Sequence, residues 1–159
     1  MMGHGTLRIY LFYCSNSLSR EELACCCGKL EPNQLKVISL PCSGKVNMPY
    51  MVKAFETGAD GVIIVTCEKG QCRHLEGNMR AQKRAEAVDS LLEEIGMGRG
   101  RITTIEFKED QTEQVVEKIG DFCAKIRDLP RSCAQRAACS TVDDAHQAQP
   151  AAATARRRQ

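Results

Sequence analysis

The sequence predicts an α/β protein with an open, doubly wound and mostly parallel sheet of four to five strands. Two observations carry this prediction. Short apolar runs rich in β-branched residues alternate four times with segments of helical, amphipathic spacing. The run from Val62 to Val65 is continuously apolar, which is typical of a parallel strand covered on both faces. Right-handed crossovers then place helices on both sides of a flavodoxin-like sheet.

The predicted strands are residues 7–12, 35–40, 61–66 and 102–107. The first helix between them begins at a capping box, because Ser19 is followed three residues later by Glu22. Its apolar stripe has helical spacing and consists of Leu23, Cys26, Cys27 and Leu30.

Three further helices follow from caps and apolar spacing. The second has Asn47 as its cap and Pro49 in its first turn, and it ends at Gly58. The third covers about residues 76–95 and the fourth about 111–129. The residues predicted to face inward are Val52 and Phe55 in the second helix, Val88, Leu91, Leu92 and Ile95 in the third, and Val115, Ile119, Phe122 and Ile126 in the fourth.

The 159 residues suffice for one domain with its own core, which we assign to residues 1–129. Residues 130–159 are rich in Ala, Arg and Gln and lack apolar periodicity, so we expect a disordered tail. The formal net charge is +2, and the basic run 156–158 lies in this tail. A nearly neutral body argues against general nucleic-acid binding.

The chain contains ten cysteines. Neither a secretory signal nor a long apolar segment is evident at its start, so we expect a cytoplasmic protein without direct membrane insertion. In a reducing compartment, many cysteines favour metal binding or redox chemistry over a disulfide framework.

Cysteines follow the ends of three predicted strands, and a fourth lies in the loop after the third strand. Cys14 follows the first strand, Cys42 the second and Cys67 the third, and Cys72 lies in the same loop as Cys67. Because ligands of open α/β sheets bind at the carboxyl ends of the strands, we expect these thiols to meet at one edge. Four thiolates can hold a tetrahedral metal ion or a small iron–sulfur cluster.

The other cysteines are better explained by packing. Two members of the triplet Cys25–Cys27 lie on the apolar stripe of the first helix, and Cys123 lies beside an inward residue of the last helix. Cys133 and Cys139 are not explained by packing, because they fall in the predicted tail, where they could be free thiols without a role.

Positive charge surrounds the predicted site. The turns after Cys42 and Cys72 lead into helices, whose N-terminal amides favour an anionic cofactor. Lys45, Arg73 and His74 are candidates to tune such a cofactor without binding it directly. Lys69 is a further candidate of the same kind. Ordinary solvated charge explains Lys45 and Lys69 equally well, and His74 is better explained as a structural histidine.

Four segments of the chain resemble the iron–sulfur delta subunit of the methyl-viologen-reducing hydrogenase. They are residues 42–46, 53–62, 67–72 and 74–78, and the similarity extends over about residues 7–129. The resemblance implies a [2Fe–2S] electron-transfer subunit in a hetero-oligomer, without a catalytic residue of its own. Its implied partners are a heterodisulfide-reductase-like flavoprotein and a second redox enzyme of the hydrogenase, formate dehydrogenase, methylenetetrahydrofolate reductase or benzoyl-coenzyme A reductase type.

The chain departs from this family after the first strand. Members of the family usually have a cysteine pair and a third cysteine there, whereas this chain has Cys14 followed by Ser15 and then Leu18. One ligand can therefore come from that loop, and a member of the triplet Cys25–Cys27 is an alternative to it.

Other functions fit parts of the pattern. A structural or regulatory zinc module could use the same four cysteines, although the short Cys-x-x-Cys knuckles common in zinc sites are absent. A flavin carrier fits the fold but lacks a phosphate loop beyond the weak candidate 15–17. Thiol–disulfide exchange lacks a well-placed Cys-x-x-Cys pair. The polar residues 78–84 form either a docking face or an ordinary solvated helix surface.

Overall fold

A computed structural model describes residues 6–28 and 35–130 of the chain. The predictions for Leu30, Cys133, Cys139 and the tail beyond residue 130 lie outside these residues. The side chains of the triplet Cys25–Cys27 also lie outside what the structure describes.

The four predicted strands form one parallel sheet. Its strands are β1 (Ile9–Cys14), β2 (Leu35–Leu40), β3 (Gly61–Cys67) and β4 (Ile102–Phe107), in the order β2-β1-β3-β4. Within the described residues, this order confirms the predicted open, parallel α/β sheet with four strands.

Strand β1 extends two residues beyond its predicted end. It pairs with β2 as far as Cys14 opposite Leu40, and this pairing keeps the chain extended to the cysteine. Strand β3 likewise ends at Cys67, which pairs opposite Phe107 of β4. Both cysteines are therefore the last residues of their strands and not the first residues of loops.

Three helices connect the strands and a fourth follows β4, in agreement with the helices predicted from sequence. They are α1 (Arg20–Cys27), α2 (Met48–Glu56), α3 (Gly77–Glu94) and α4 (Thr112–Asp128), with a short 3-10 turn (Ser43–Lys45) before α2. The capping box of α1 is present in full, since Ser19 and Glu22 bond each other's backbone N–H groups. The side chain of Asn47 caps α2 by accepting from the N–H of Tyr50 at 3.0 Å.

Two hydrophobic layers enclose the sheet. Helices α1 and α4 pack on one face, around Leu11 and Ile63, whereas α2 and α3 pack on the other, around Val62 and Ile64. All four inward residues predicted for α4 are buried, which confirms its register. Within the described part of the chain, no helix is long and apolar enough to cross a membrane.

The predicted register of α3 is partly wrong. Val88 and Leu92 are buried as expected, but Leu91 is 41% exposed and Ile95 is 68% exposed. The helix buries Ala81 and Ala85 instead, in line with Val88 and Leu92. Leu91 lies about 100° around the helix from Leu92, outside this narrow stripe, and Ile95 lies beyond the last helical residue. Small residues form much of the inward stripe, which a search for large apolar side chains misses.

In helix α2, the observed burial of the side chains also differs slightly from the prediction. Phe55 is buried as predicted, whereas Val52 is half-buried. Met51 and Ala54 are the other buried residues of this helix.

The two adjacent leucines of α3 test the corrected register. Leu92→Ala should lower the free energy of unfolding by about 2–5 kcal/mol, because it leaves a cavity in the core. Leu91→Ala should change it by about 0.5 kcal/mol or less, since that side chain lies outside the buried stripe and is 41% exposed. Urea denaturation of the two variants measures the difference, and equal losses would contradict the register.

Candidate metal centre

Four thiols meet at the carboxyl edge of the sheet. Cys14, Cys42, Cys67 and Cys72 are all buried and form a cluster of their own, separate from the two hydrophobic layers. Cys14 and Cys67 end the adjacent strands β1 and β3, while Cys42 precedes the 3-10 turn and Cys72 lies in the loop between β3 and α3. The structure thus brings together the four cysteines that the sequence singled out.

The four thiols are arranged as two pairs. The Cys67 thiol donates a hydrogen bond to the Cys14 sulfur, with 3.4 Å between the two Sγ atoms. Cys42 and Cys72 share a second hydrogen bond between their side chains. Neighbouring strands therefore build one pair, and two loops build the other.

The paired thiols do not make a ready site for one metal ion. Across residues 6–28 and 35–130, no three His, Cys, Asp or Glu side chains form a group arranged to hold a single ion. All five cysteines whose side chains are described are free thiols, including Cys123. The four clustered thiols are therefore all available as ligands.

Backbone amides converge on the pair formed by Cys42 and Cys72. The N–H of Gly44 donates to the Cys42 sulfur at 3.3 Å. Burial raises the pKa of Cys72, but hydrogen bonds from the N–H groups of His74, Asn78 and Gly77 outweigh burial and hold that pKa below its usual value. The pKa of Cys42 is raised, chiefly by burial and despite the amide of Gly44.

The other pair lies in a less polar environment. Burial, together with the hydrogen bond to Cys14, raises the pKa of Cys67 to about 12. Cys67 and Cys72 therefore differ in how well the protein stabilises negative charge on their sulfurs.

Two glycines allow the loops to approach each other closely. A Cβ atom on Gly77 would collide with the Cys42 sulfur and lie 3.2 Å from the Cys72 sulfur. A Cβ atom on Gly44 would lie 2.8 Å from the Cα of Gly77. The contact between Cys42 and Cys72 thus depends on both glycines, a role that sequence reasoning did not assign to them.

Two polar residues of α3 hold the cysteine-bearing loops. The guanidinium of Arg84 donates to the carbonyl oxygens of Gly44 at 2.7 Å and Val46 at 2.9 Å. The buried amide of Asn78 donates to the carbonyl oxygens of Cys67 at 3.3 Å and Glu68 at 3.4 Å. Both side chains form hydrogen bonds within the protein. Asn78 and Arg84 therefore do not belong to the docking face considered for residues 78–84.

The cations predicted near the site are all exposed. Lys45, Lys69, Arg73 and His74 lie at the surface, and Arg73 donates to the side-chain oxygen of Asn16 at 3.4 Å. His74 reaches Cys72 through its backbone N–H. Peptide groups, which sequence patterns do not reveal, therefore contribute the direct contacts with sulfur.

Cys123 belongs to the core and not to the thiol cluster. It packs among the residues of α4 and their neighbours on that face of the sheet, and burial raises its pKa. The structural role predicted for it is confirmed.

Comparison with known proteins gives the family. The methyl-viologen-reducing hydrogenase, delta subunit family matches residues 9–130, which include all four clustered cysteines. This chain belongs to that family. The match covers nearly the same residues as the resemblance noted from the sequence.

Relatives of the chain include iron–sulfur subunits of archaeal hydrogenases. The iron-sulfur subunit of the F420-non-reducing hydrogenase vhu from Methanocaldococcus jannaschii is 32% identical over 98 residues, covering 62% of this chain and 73% of that protein. The iron-sulfur subunit of the F420-non-reducing hydrogenase from Archaeoglobus profundus is 36% identical over 98 residues, covering 62% of this chain and 72% of that protein.

A second kind of relative is much larger. One subunit of the Ferredoxin/F(420)H(2)-dependent CoB-CoM heterodisulfide reductase from Methanosarcina acetivorans is 29% identical over 98 residues. The match covers 62% of this chain but 12% of that protein. A module similar to this chain thus also occurs as a small part of a heterodisulfide reductase.

The close approach at Gly77 can be tested with a matched pair of helical glycines. Gly77→Ala should lower the free energy of unfolding of the metal-free protein by about 1–3 kcal/mol, because the new methyl group forces the Cys42 and Cys72 loops apart. Gly120→Ala, on α4 with open space around it, should raise it by about 0.5–1 kcal/mol. Chemical denaturation reports both values, and a stabilising Gly77→Ala would refute the steric argument.

Proposed function

We propose that this chain carries one [2Fe–2S] cluster on Cys14, Cys42, Cys67 and Cys72 and passes electrons between two partner redox proteins. The observation that carries the proposal is the arrangement of the thiols in two pairs. A [2Fe–2S] cluster takes four cysteine ligands, two on each iron. The donor set and its division into pairs fit this cofactor.

A zinc module fits the same residues less well. Structural zinc sites surround one ion tetrahedrally with their ligands. Such sites commonly draw their ligands from two short Cys-x-x-Cys knuckles, and the sequence contains none. The lack of these knuckles favours the cluster over zinc.

The surroundings of the thiols suit an anionic redox group. Such a cluster supplies one-electron transfer when it is bound. The amides of Gly44, His74, Gly77 and Asn78 stabilise negative charge on the Cys42 and Cys72 sulfurs, which favours the reduced state. All four thiols are buried, so the protein shields the bound group from bulk water.

The proposed partners follow from the relatives. Some are named as iron–sulfur subunits of hydrogenases, and others as part of a heterodisulfide reductase. We infer that this chain works in a cytoplasmic hetero-oligomer, between a heterodisulfide-reductase-like flavoprotein and a second redox enzyme. That enzyme is of the hydrogenase, formate dehydrogenase, methylenetetrahydrofolate reductase or benzoyl-coenzyme A reductase type. Residues 1–129 would form the electron-transfer domain.

Removal of single thiols tests the cluster. Protein purified without oxygen should contain two irons and two sulfides, and it should show visible absorption that dithionite bleaches. Cys67→Ala or Cys72→Ala should remove most of that absorption, because each takes away one ligand. Cys123→Ala is the matched control, since that thiol is equally buried but lies in the hydrophobic core, and it should retain the full spectrum.

Two results would contradict the proposal. One is a colourless protein with one equivalent of zinc, which would favour the structural module. The other is loss of the spectrum in Cys123→Ala but not in the two site variants, which would place the ligands elsewhere.

A further inference from the structure

One buried polar side chain beside the thiols has no hydrogen-bond partner. Ser43 directly follows Cys42 and is 1% exposed. Among residues 6–28 and 35–130, its hydroxyl oxygen is the one buried side-chain nitrogen or oxygen atom without a partner. An unsatisfied buried hydroxyl is costly, so its retention calls for an explanation.

The unpartnered hydroxyl can be explained by its location near the segments that carry the four cysteines. The 3-10 turn Ser43–Lys45 packs against β1, β3 and α3. Strand β1 ends in Cys14 and strand β3 ends in Cys67. Helix α3 follows the loop that contains Cys72. The turn that carries the unpartnered hydroxyl is therefore packed against the same segments that gather the four thiols.

We propose that the Ser43 hydroxyl donates a hydrogen bond to a sulfur atom of the bound cluster and thereby raises its reduction potential. This inference rests on the proposed [2Fe–2S] function. Cluster sulfurs carry negative charge and accept hydrogen bonds, and each such bond stabilises the reduced form more than the oxidised form. Ser43 is thus a positioning and tuning residue and not a ligand.

Removing the hydroxyl tests this role. Ser43→Ala should shift the midpoint potential of the loaded protein to a more negative value in a redox titration, with iron and sulfide content unchanged. The metal-free form of the same variant should be at least as stable as the wild type, because the substitution removes an unpartnered donor. Ser90→Ala, on the far half of α3, is the control and should leave the potential unchanged.

A second variant separates hydrogen bonding from packing. Ser43→Thr keeps the hydroxyl and should retain the wild-type potential. The inference fails if Ser43→Ala titrates like the wild type, or if the Ala and Thr variants shift the potential equally. A wild-type protein without a cluster would instead refute the proposed function itself.

Discussion

The close contact between Gly44 and Gly77 is the constraint on which the thiol site depends. It brings the 3-10 turn against the first residue of α3, which places Cys42 beside Cys72. The same contact aims backbone N–H groups at both sulfurs. Arg84 of α3 donates hydrogen bonds to the carbonyl oxygens of Gly44 and Val46 and so stabilises this contact. A larger residue at either glycine would separate the loops.

The other half of the site comes from the sheet itself. The order β2-β1-β3-β4 makes β1 and β3 neighbours, although helices and a strand separate them in sequence. Cys14 and Cys67 end these neighbouring strands and therefore come into contact. One pair of thiols is thus placed by the most rigid part of the fold, and the other by loops rich in amide donors. Cys67 on the sheet and Cys72 in the loop accordingly have pKa values shifted in opposite directions.

Much of the fold could be predicted because it depends on local patterns. The capping box at Ser19, the cap at Asn47 and the inward face of α4 each depend on residues close together in sequence. The register of α3 could be predicted only in part, because alanines form much of its buried stripe while Leu91 and Ile95 remain exposed. Large apolar residues predict burial only when the neighbouring element leaves space for them.

By itself, the sequence determined the alternation of strands and helices, the parallel sheet and the location of four cysteines at strand ends. Tertiary structure alone decided how those cysteines pair, which amides reach their sulfurs, and that Asn78 and Arg84 face the loops. It also left the Ser43 hydroxyl buried without a partner. The physical reason is that hydrophobic periodicity reports which face of an element is covered, whereas hydrogen bonds and close contacts depend on distances of a few ångströms between segments remote in sequence.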